Sequence, residues 1–292
     1  MSLKEAIKDK RPNLSASSIT TYNSILSNLY KKVFGGELDL AKFDDAEKIL
    51  DYLKDLPPNK RKTILSALVI ITDNKKYRDQ MLEDIRDYNH EISKQEKTDE
   101  QKESWVGGEE VKSLWETLQR NANLIYKKKH HTQSDLQEIQ SFIIMSLLGG
   151  VFIAPRRAKD FCDFKIKDID TSKNNYLRKS DLVFNSYKTS KCYGEQVVKI
   201  PIVLKNILQK WIKINPTEWL LFDTNMNPLS SVKLNQRLNR LFDGKKVGVN
   251  QLRHTYLTDK YADTLKQKKA IDADMRDMGS SANMLTTYVK ED

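Results

Sequence analysis

Apolar residues recur at three- and four-residue steps along much of the chain. Ile19, Tyr22, Ile25, Leu26, Leu29, Tyr30 and Val33 form one such stripe, which Ser15 to Ser18 can cap and Gly35-Gly36 can end. A second helix is predicted from Asp44 or Asp45 through Ile49, Leu50 and Leu53 to a stop at Pro57-Pro58. Asn59 and the basic run Lys60, Arg61, Lys62 then lead into apolar Ile64 to Ile71, and a fourth helix covers roughly Lys76 to Glu96. Basic residues at a helix start oppose its dipole, so phosphate contact is one reading of that run and a solvated turn the other.

From Lys94 to Ser104 the chain holds no apolar residue, and charges of both signs alternate. This composition marks a boundary: a helical domain over 1–97, a linker over 98–104 and a second domain over 105–292. Val111, Leu114, Trp115 and Leu118 share the next helical face, and Asp135 to Leu148 reads as a strongly apolar helix. The pattern then changes to short β-prone runs, Asp181 to Tyr187 and Gln196 to Ile200, joined by a turn containing Lys188, Lys191 and Gly194. A helix from Pro201 to about Ile214 follows, then a short strand at Trp219 to Phe222. Helices near Ser230 to Phe242, Val249 to Ala262 and Leu265 to Met278 complete the chain. The expected fold is mainly α, with a small β-hairpin or sheet inside the mostly helical second domain.

Charge narrows the partners. Fifty Lys and Arg against 40 Asp and Glu give a formal +10 and a pI near 9.3, which favours a polyanion, nucleic acid first. Cys162 and Cys192 lack CxxC spacing and no secretory signal opens the chain, so an intracellular location (cytoplasm or host nucleus) is expected. The longest apolar run, Phe142 to Ala154, contains Ser146, Gly149 and Gly150 and is shorter than the roughly 20 residues that span a bilayer, so no membrane partner is expected. His130-His131 matches no usual metal spacing and reads as a solvated loop.

Chemistry on a polyanion without a cofactor needs a nucleophile, cations for the phosphate charge and a proton donor for the leaving oxygen. The chain offers Tyr288, Arg157 with Arg253, and Lys188. Their order and surroundings resemble the tyrosine recombinase family of phage integrases and their relatives in eukaryotic viruses and mobile elements. A first box, Pro155-Arg156-Arg157-Ala158-Lys159-Asp160-Phe161, resembles the family's arginine three residues before an acid, which selects Arg157 over Arg156. Lys188 in Tyr187-Lys188-Thr189 matches the family's hairpin lysine, with Lys191 the runner-up. Leu252-Arg253-His254-Thr255 and Met278-Gly279-Ser280-Ser281 with Tyr288 behind resemble the remaining boxes. The resemblance spans about 105 to 292, and the first four helices look like the family's core-binding domain.

The resemblance implies metal-free DNA cleavage and rejoining, with DNA clamped between the two domains, a 3′-phosphotyrosyl bond on Tyr288, and assembly as a homo-tetramer on two duplexes. A phenol, with an ordinary pKa of about 10, is a weak nucleophile at neutral pH, and guanidinium forks suit the oxygens of a crowded phosphorus. Two positions depart from the family: Asn250 stands where it has histidine or lysine, and Ser280 where it has histidine. Neither side chain is a proton-transferring base near neutral pH, which lowers the expected rate, general acid–base help being worth about 10²–10⁴-fold. His254 reads as a support of the active-site helix. Tyr288 stands four residues before the last residue, leaving little tail to exchange between protomers. The alternatives are a diverged DNA-binding protein on the same scaffold and a type IB topoisomerase-like activity.

Overall fold

The structure, a computed structural model, describes residues 2–290, and the chain divides between Glu96 and Lys97 into two compact units. The first holds α1 (Leu3–Lys10), α2 (Ala16–Val33), a 3-10 turn at Leu40–Asp44, α3 (Ala46–Leu53), α4 (Pro58–Thr72) and α5 (Lys75–Ser93). Helix α2 starts on Ser15, whose hydroxyl accepts from the Ser18 amide, and ends before Gly35 and Gly36 at φ +65° and +66°. Helix α1, not expected from the pattern, is nucleated by the reciprocal bonds of Ser2 and Glu5. Eight residues are too few for a stable isolated helix, so packing of Leu3 and Ile7 has to hold it.

The basic run at the start of α4 has an internal purpose. Arg61 Nε lies 3.0 and 2.9 Å from the two carboxylate oxygens of fully buried Asp84, and Arg61 Nη1 donates to the Lys54 carbonyl at 2.9 Å. Lys62 lies over the ring of Tyr88, leaving Lys60 as the exposed member of the three. Pro58 opens α4 at its first helical position, where its missing N–H costs nothing.

In the second unit, α6 (Asp99–Ser104) occupies the stretch expected as a linker, started by a Thr98–Gln101 capping box. Then come α7 (Gly108–Ile125), α8 (Gln133–Leu148) and α9 (Ala158–Cys162). A sheet follows, of β1 (Phe164–Lys165), β2 (Asn175–Arg178), β3 (Asp181–Phe184) and β4 (Gln196–Lys199), with α10 (Ser190–Tyr193) between the last two. The strand order is β1-β2-β3-β4, β1 parallel to β2 and the other pairs antiparallel, with Leu182 opposite Val198 and Phe184 opposite Gln196. Helices α11 (Ile202–Ile214), α12 (Ser231–Leu241), α13 (Val249–Asp277) and α14 (Leu285–Tyr288) complete it. The fold is mainly α with a small four-stranded sheet, as the pattern predicts.

Helix α8 is buried at nearly every position from Leu136 to Leu148 and forms the centre of the core. Two expectations fail here. Trp219 to Phe222 makes isolated bridges rather than a strand, because the Gln140 amide takes both main-chain groups of Phe222, at 2.7 and 2.8 Å. The two helices expected between Val249 and Met278 are one, since neither glycine nor proline interrupts 249–277. No described helix is long and apolar enough to cross a membrane. In the His130-His131 loop, His130 is exposed while His131 is half-buried, with no partner for Nε2 among the described residues.

Candidate active site

Neighbouring arginines in the first box have opposite fates. Arg156 stands four residues before Asp160, one helical turn away, and its Nε donates to Asp160 Oδ2 at 2.9 Å. Its Nη1 donates to Gln196 Oε1 at 3.0 Å, and its guanidinium lies 3.9 Å from the centre of the Phe184 ring. Arg156 is thus internal cement between α9 and the sheet. Arg157, the N-cap of α9 in extended conformation, is exposed and has no ion-pair partner among the described residues.

The lysine loop is fastened to the same helix by a residue that sequence reading missed. Buried Asn175, the first residue of β2, donates through Nδ2 to the carbonyls of Asp160 (2.9 Å) and Ser186 (2.8 Å). Its Oδ1 accepts from the amides of Asn185 (2.9 Å) and Ser186 (2.8 Å), so every hydrogen-bonding site of the side chain is used. Tyr187 follows with its ring 5.3 Å from the Arg156 guanidinium, and its hydroxyl donates to the Gly194 carbonyl, closing the loop. Gly194 sits at φ +64°, ψ −151°, a region open only to glycine. Lys188 is the next residue after Tyr187, exposed and without an ion pair among the described residues; Lys191 is also exposed, but on α10, farther along the loop. Nothing in the local sequence distinguishes Asn175 from its neighbour Asn174, because its partners lie 10 to 15 residues away.

Arg253 comes from the start of α13. That end is anchored by Val249 and Leu252 in the core, by Asn235 Oδ1 accepting from the Val249 amide at 3.1 Å, and by Thr255 donating to the Val106 carbonyl at 2.6 Å. Asn250 and Arg253 therefore share the opposite face, with Arg253 Nη1 3.3 Å from Asn250 Oδ1. His254 is exposed. Burial pushes the Asp160 carboxyl above the usual carboxylate value, and the charges of Arg156, Arg157 and Arg253 oppose that shift. Asp160 is thus the buried point on which both candidate phosphate arginines bear. A cation in the first turns of a helix faces its positive dipole end, so this corner of the unit attracts anions.

Ser280 and Tyr288 lie elsewhere. The Ser280 amide donates to the Met275 carbonyl at 2.8 Å and Gly279 takes φ +70°, so Met278-Gly279-Ser280 ends α13 in a glycine C-cap. Twenty-four residues separate Arg253 from Asp277 in unbroken helix, a rise of ~36 Å. The tail packs its 3-10 turn, Ala282–Met284, against α13 and α14 against that turn. Folded straight back, the two extended residues, the 3-10 turn and α14 recover only ~20 Å. Tyr288 is 55% exposed. One chain therefore gathers Arg157, Asn250, Arg253 and the Lys188 loop, and leaves Ser280 and Tyr288 apart.

A concave pocket of about 420 Å³ lies beside α13, between Trp115, Gly150 and Tyr256, and none of the six candidate residues lines it. The cationic cluster occupies open surface instead.

No protein-family model and no curated protein matches the chain. Among solved structures it is similar to a lambda integrase dimer bound to a COC′ core site (13% identity, 92% of this chain and 73% of that one, TM-score 0.45). It is also similar to residues 75–356 of lambda integrase bound to DNA (13% identity, 91% and 89% coverage, TM-score 0.45) and to a lambda integrase tetramer bound to a Holliday junction (12% identity, 89% and 69% coverage, TM-score 0.46). At this level of similarity the chemistry has to rest on the chain's own residues.

Proposed function

We propose that the chain is a site-specific DNA recombinase or integrase that cuts and rejoins duplex DNA through a 3′-phosphotyrosyl bond on Tyr288. One observation carries this reading: Arg157 and Arg253, neither ion-paired among the described residues, bear on buried Asp160 beside the loop that holds Lys188. Positive charge that reaches the same buried carboxyl from two arginines is offset by a phosphate from outside. Here the two guanidinium groups grip the non-bridging oxygens. The Tyr288 oxygen bonds to phosphorus, the P–O5′ bond breaks, and Lys188 protonates the leaving 5′-oxygen. Asn250 holds Arg253 and has no proton to exchange, so the phenolic proton passes to water. The mechanism requires no metal. The unit ending at Glu96 supplies further DNA contact, and the working form is a homo-tetramer on two duplexes.

The test is a nicked suicide duplex carrying a site selected by the wild-type protein from random DNA. A protease-sensitive covalent adduct from wild type, absent from Tyr288→Phe, supports the enzyme. Salt-dependent binding without adduct from either protein supports the second reading, a DNA-binding protein on the same scaffold, which Asn250 and Ser280 favour. Relaxation of supercoiled DNA without joining of two sites would place the activity with the type IB topoisomerases.

A further inference from the structure

We infer that helix α12 sets the spacing of the two candidate phosphate arginines, and that Asn235 is the positioning residue through which it does so. The inference rests on the proposed strand-transfer chemistry and deepens it. Helix α13 opens on Gly248, which has no side chain with which to cap it. The amide of Val249, its first residue, instead donates to Asn235 Oδ1 at 3.1 Å, a partner 14 residues back on α12. Ser231 stands one helical turn before Asn235 on the same face of α12, and its hydroxyl lies 4.0 Å from Sγ of Cys162, the last residue of α9. Leu234 and Leu238 hold α12 in the core. One turn of α12, a rise of ~6 Å, therefore touches the end of α9 and the start of α13.

Both arginines stand close to those contacts. Arg157 precedes Cys162 along the single short helix α9, a rise of ~7.5 Å, and Arg253 lies one turn beyond Val249. A cap carried by α13 itself would satisfy the same end of the helix without fixing where that end lies. A cap carried by α12 fixes it relative to α9, so that the two guanidinium groups meet one phosphate. The charges of both arginines reach the Asp160 carboxyl, which puts them at one corner of the unit. At such a site a misplacement of 1 Å costs about 10²-fold in rate. Gly248 makes capping and positioning separable. The nearest atoms to a Cβ built there belong to the Asn235 side chain, at 3.4 Å or more, and the φ of −99° suits any residue, so with Asn235→Ala a serine fits.

The double variant Asn235→Ala/Gly248→Ser decides it, because its serine caps α13 locally and leaves the tie to α12 cut. Asn235→Ala is expected to lower Tm and to reduce adduct formation at saturating suicide duplex by ~10-fold or more, with DNA affinity changed less. Adding Gly248→Ser should return Tm to the wild-type value while adduct stays low, and Asn235→Asp, which keeps the acceptor, should retain both. Recovery of adduct together with Tm would make Asn235 a cap and nothing more, and would overturn the inference. Binding to the same duplex gives a readout independent of cleavage. Once one arginine has released a shared phosphate, removing the other costs less, so the affinity lost with Arg157→Ala and Arg253→Ala together should fall short of the product of the single losses by ~3-fold or more. With Asn235→Ala added, the losses should multiply. Coupling absent from wild type, or unchanged by Asn235→Ala, overturns the inference. If wild type forms no adduct the proposed chemistry falls, and the binding cycle decides the positioning alone.

Discussion

The side-chain amide of Asn175 donates to the main-chain oxygen of Asp160 at 2.9 Å, and the same side chain holds Asn185 and Ser186 at the entrance to the Lys188 loop. Asp160 is also the carboxylate that Arg156 grips and that the charges of Arg157 and Arg253 reach. One fastener therefore sets the arginine side of the site and the lysine side together.

Replacing that fastener should damage both stability and chemistry. Asn175→Ala strands the buried Asp160 carbonyl at about 1–3 kcal/mol and frees three part-buried main-chain groups of Asn185 and Ser186 at less each, so a loss of ~2–4 kcal/mol is expected in denaturant unfolding. Cleavage should fall more than DNA binding. A substrate with sulfur at the bridging 5′ position, whose thiolate leaves without a proton, should recover the cleavage lost through a displaced Lys188. Failure to recover would make the role of Asn175 purely structural.

The paired arginines should separate stability from activity. Arg156→Ala leaves the buried Asp160 carboxylate unpaired, a defect that costs about 3–5 kcal/mol. Arg157→Ala removes an exposed side chain, so stability should stay within ~0.5 kcal/mol while cleavage is abolished. The slope of log binding constant against log salt should also fall by about one. The opposite ranking would assign the phosphate contact to Arg156.

Asn250→His supplies a group that titrates near pH ~6.5 at the position hydrogen-bonded to Arg253. Adduct formation should rise by ~10-fold or more, with a new inflection in its pH profile. An unchanged rate would mean that proton transfer at this position does not limit the reaction.

Acid should reveal the cap of α8. Lys128 and the Thr132 amide hold the Asp135 carboxyl at about 2, below its ordinary 3.8. A depressed carboxyl stabilises the folded state above the unfolded value, and that stability disappears as pH falls through the folded one. Asp135→Asn should therefore lower Tm at neutral pH, and the gap should close between about pH 4 and pH 2. A gap that persists below about pH 2 would assign the cap's contribution to geometry rather than charge.

Local chemistry made much of the fold readable. Ser15, Asp45 and Ser230 each accept from the amide three residues on and open α2, α3 and α12 where the apolar stripes begin. Helix α1 escaped because eight residues hold only two buried apolar positions. The continuity of α13 escaped for a related reason: beyond Thr255 it buries only Met275, so its apolar pattern lapses although nothing in the backbone breaks it. Trp219 to Phe222 read as a strand because its residue types are β-prone, while Gln140, 82 residues away, takes the bonds a strand partner needs.

Residue types, caps and stripes settle within a few positions, so the mainly α architecture and the six candidate side chains could be read along the chain. Partner choice is non-local. Arg156 and Arg157 are the same residue type in adjacent positions, and only the burial of Asp160 and the Phe184 ring makes one structural and leaves the other free. Likewise, the distance from Arg253 to Tyr288 depends on an unbroken helix and a tail that folds on its far end, which spacing in sequence does not encode.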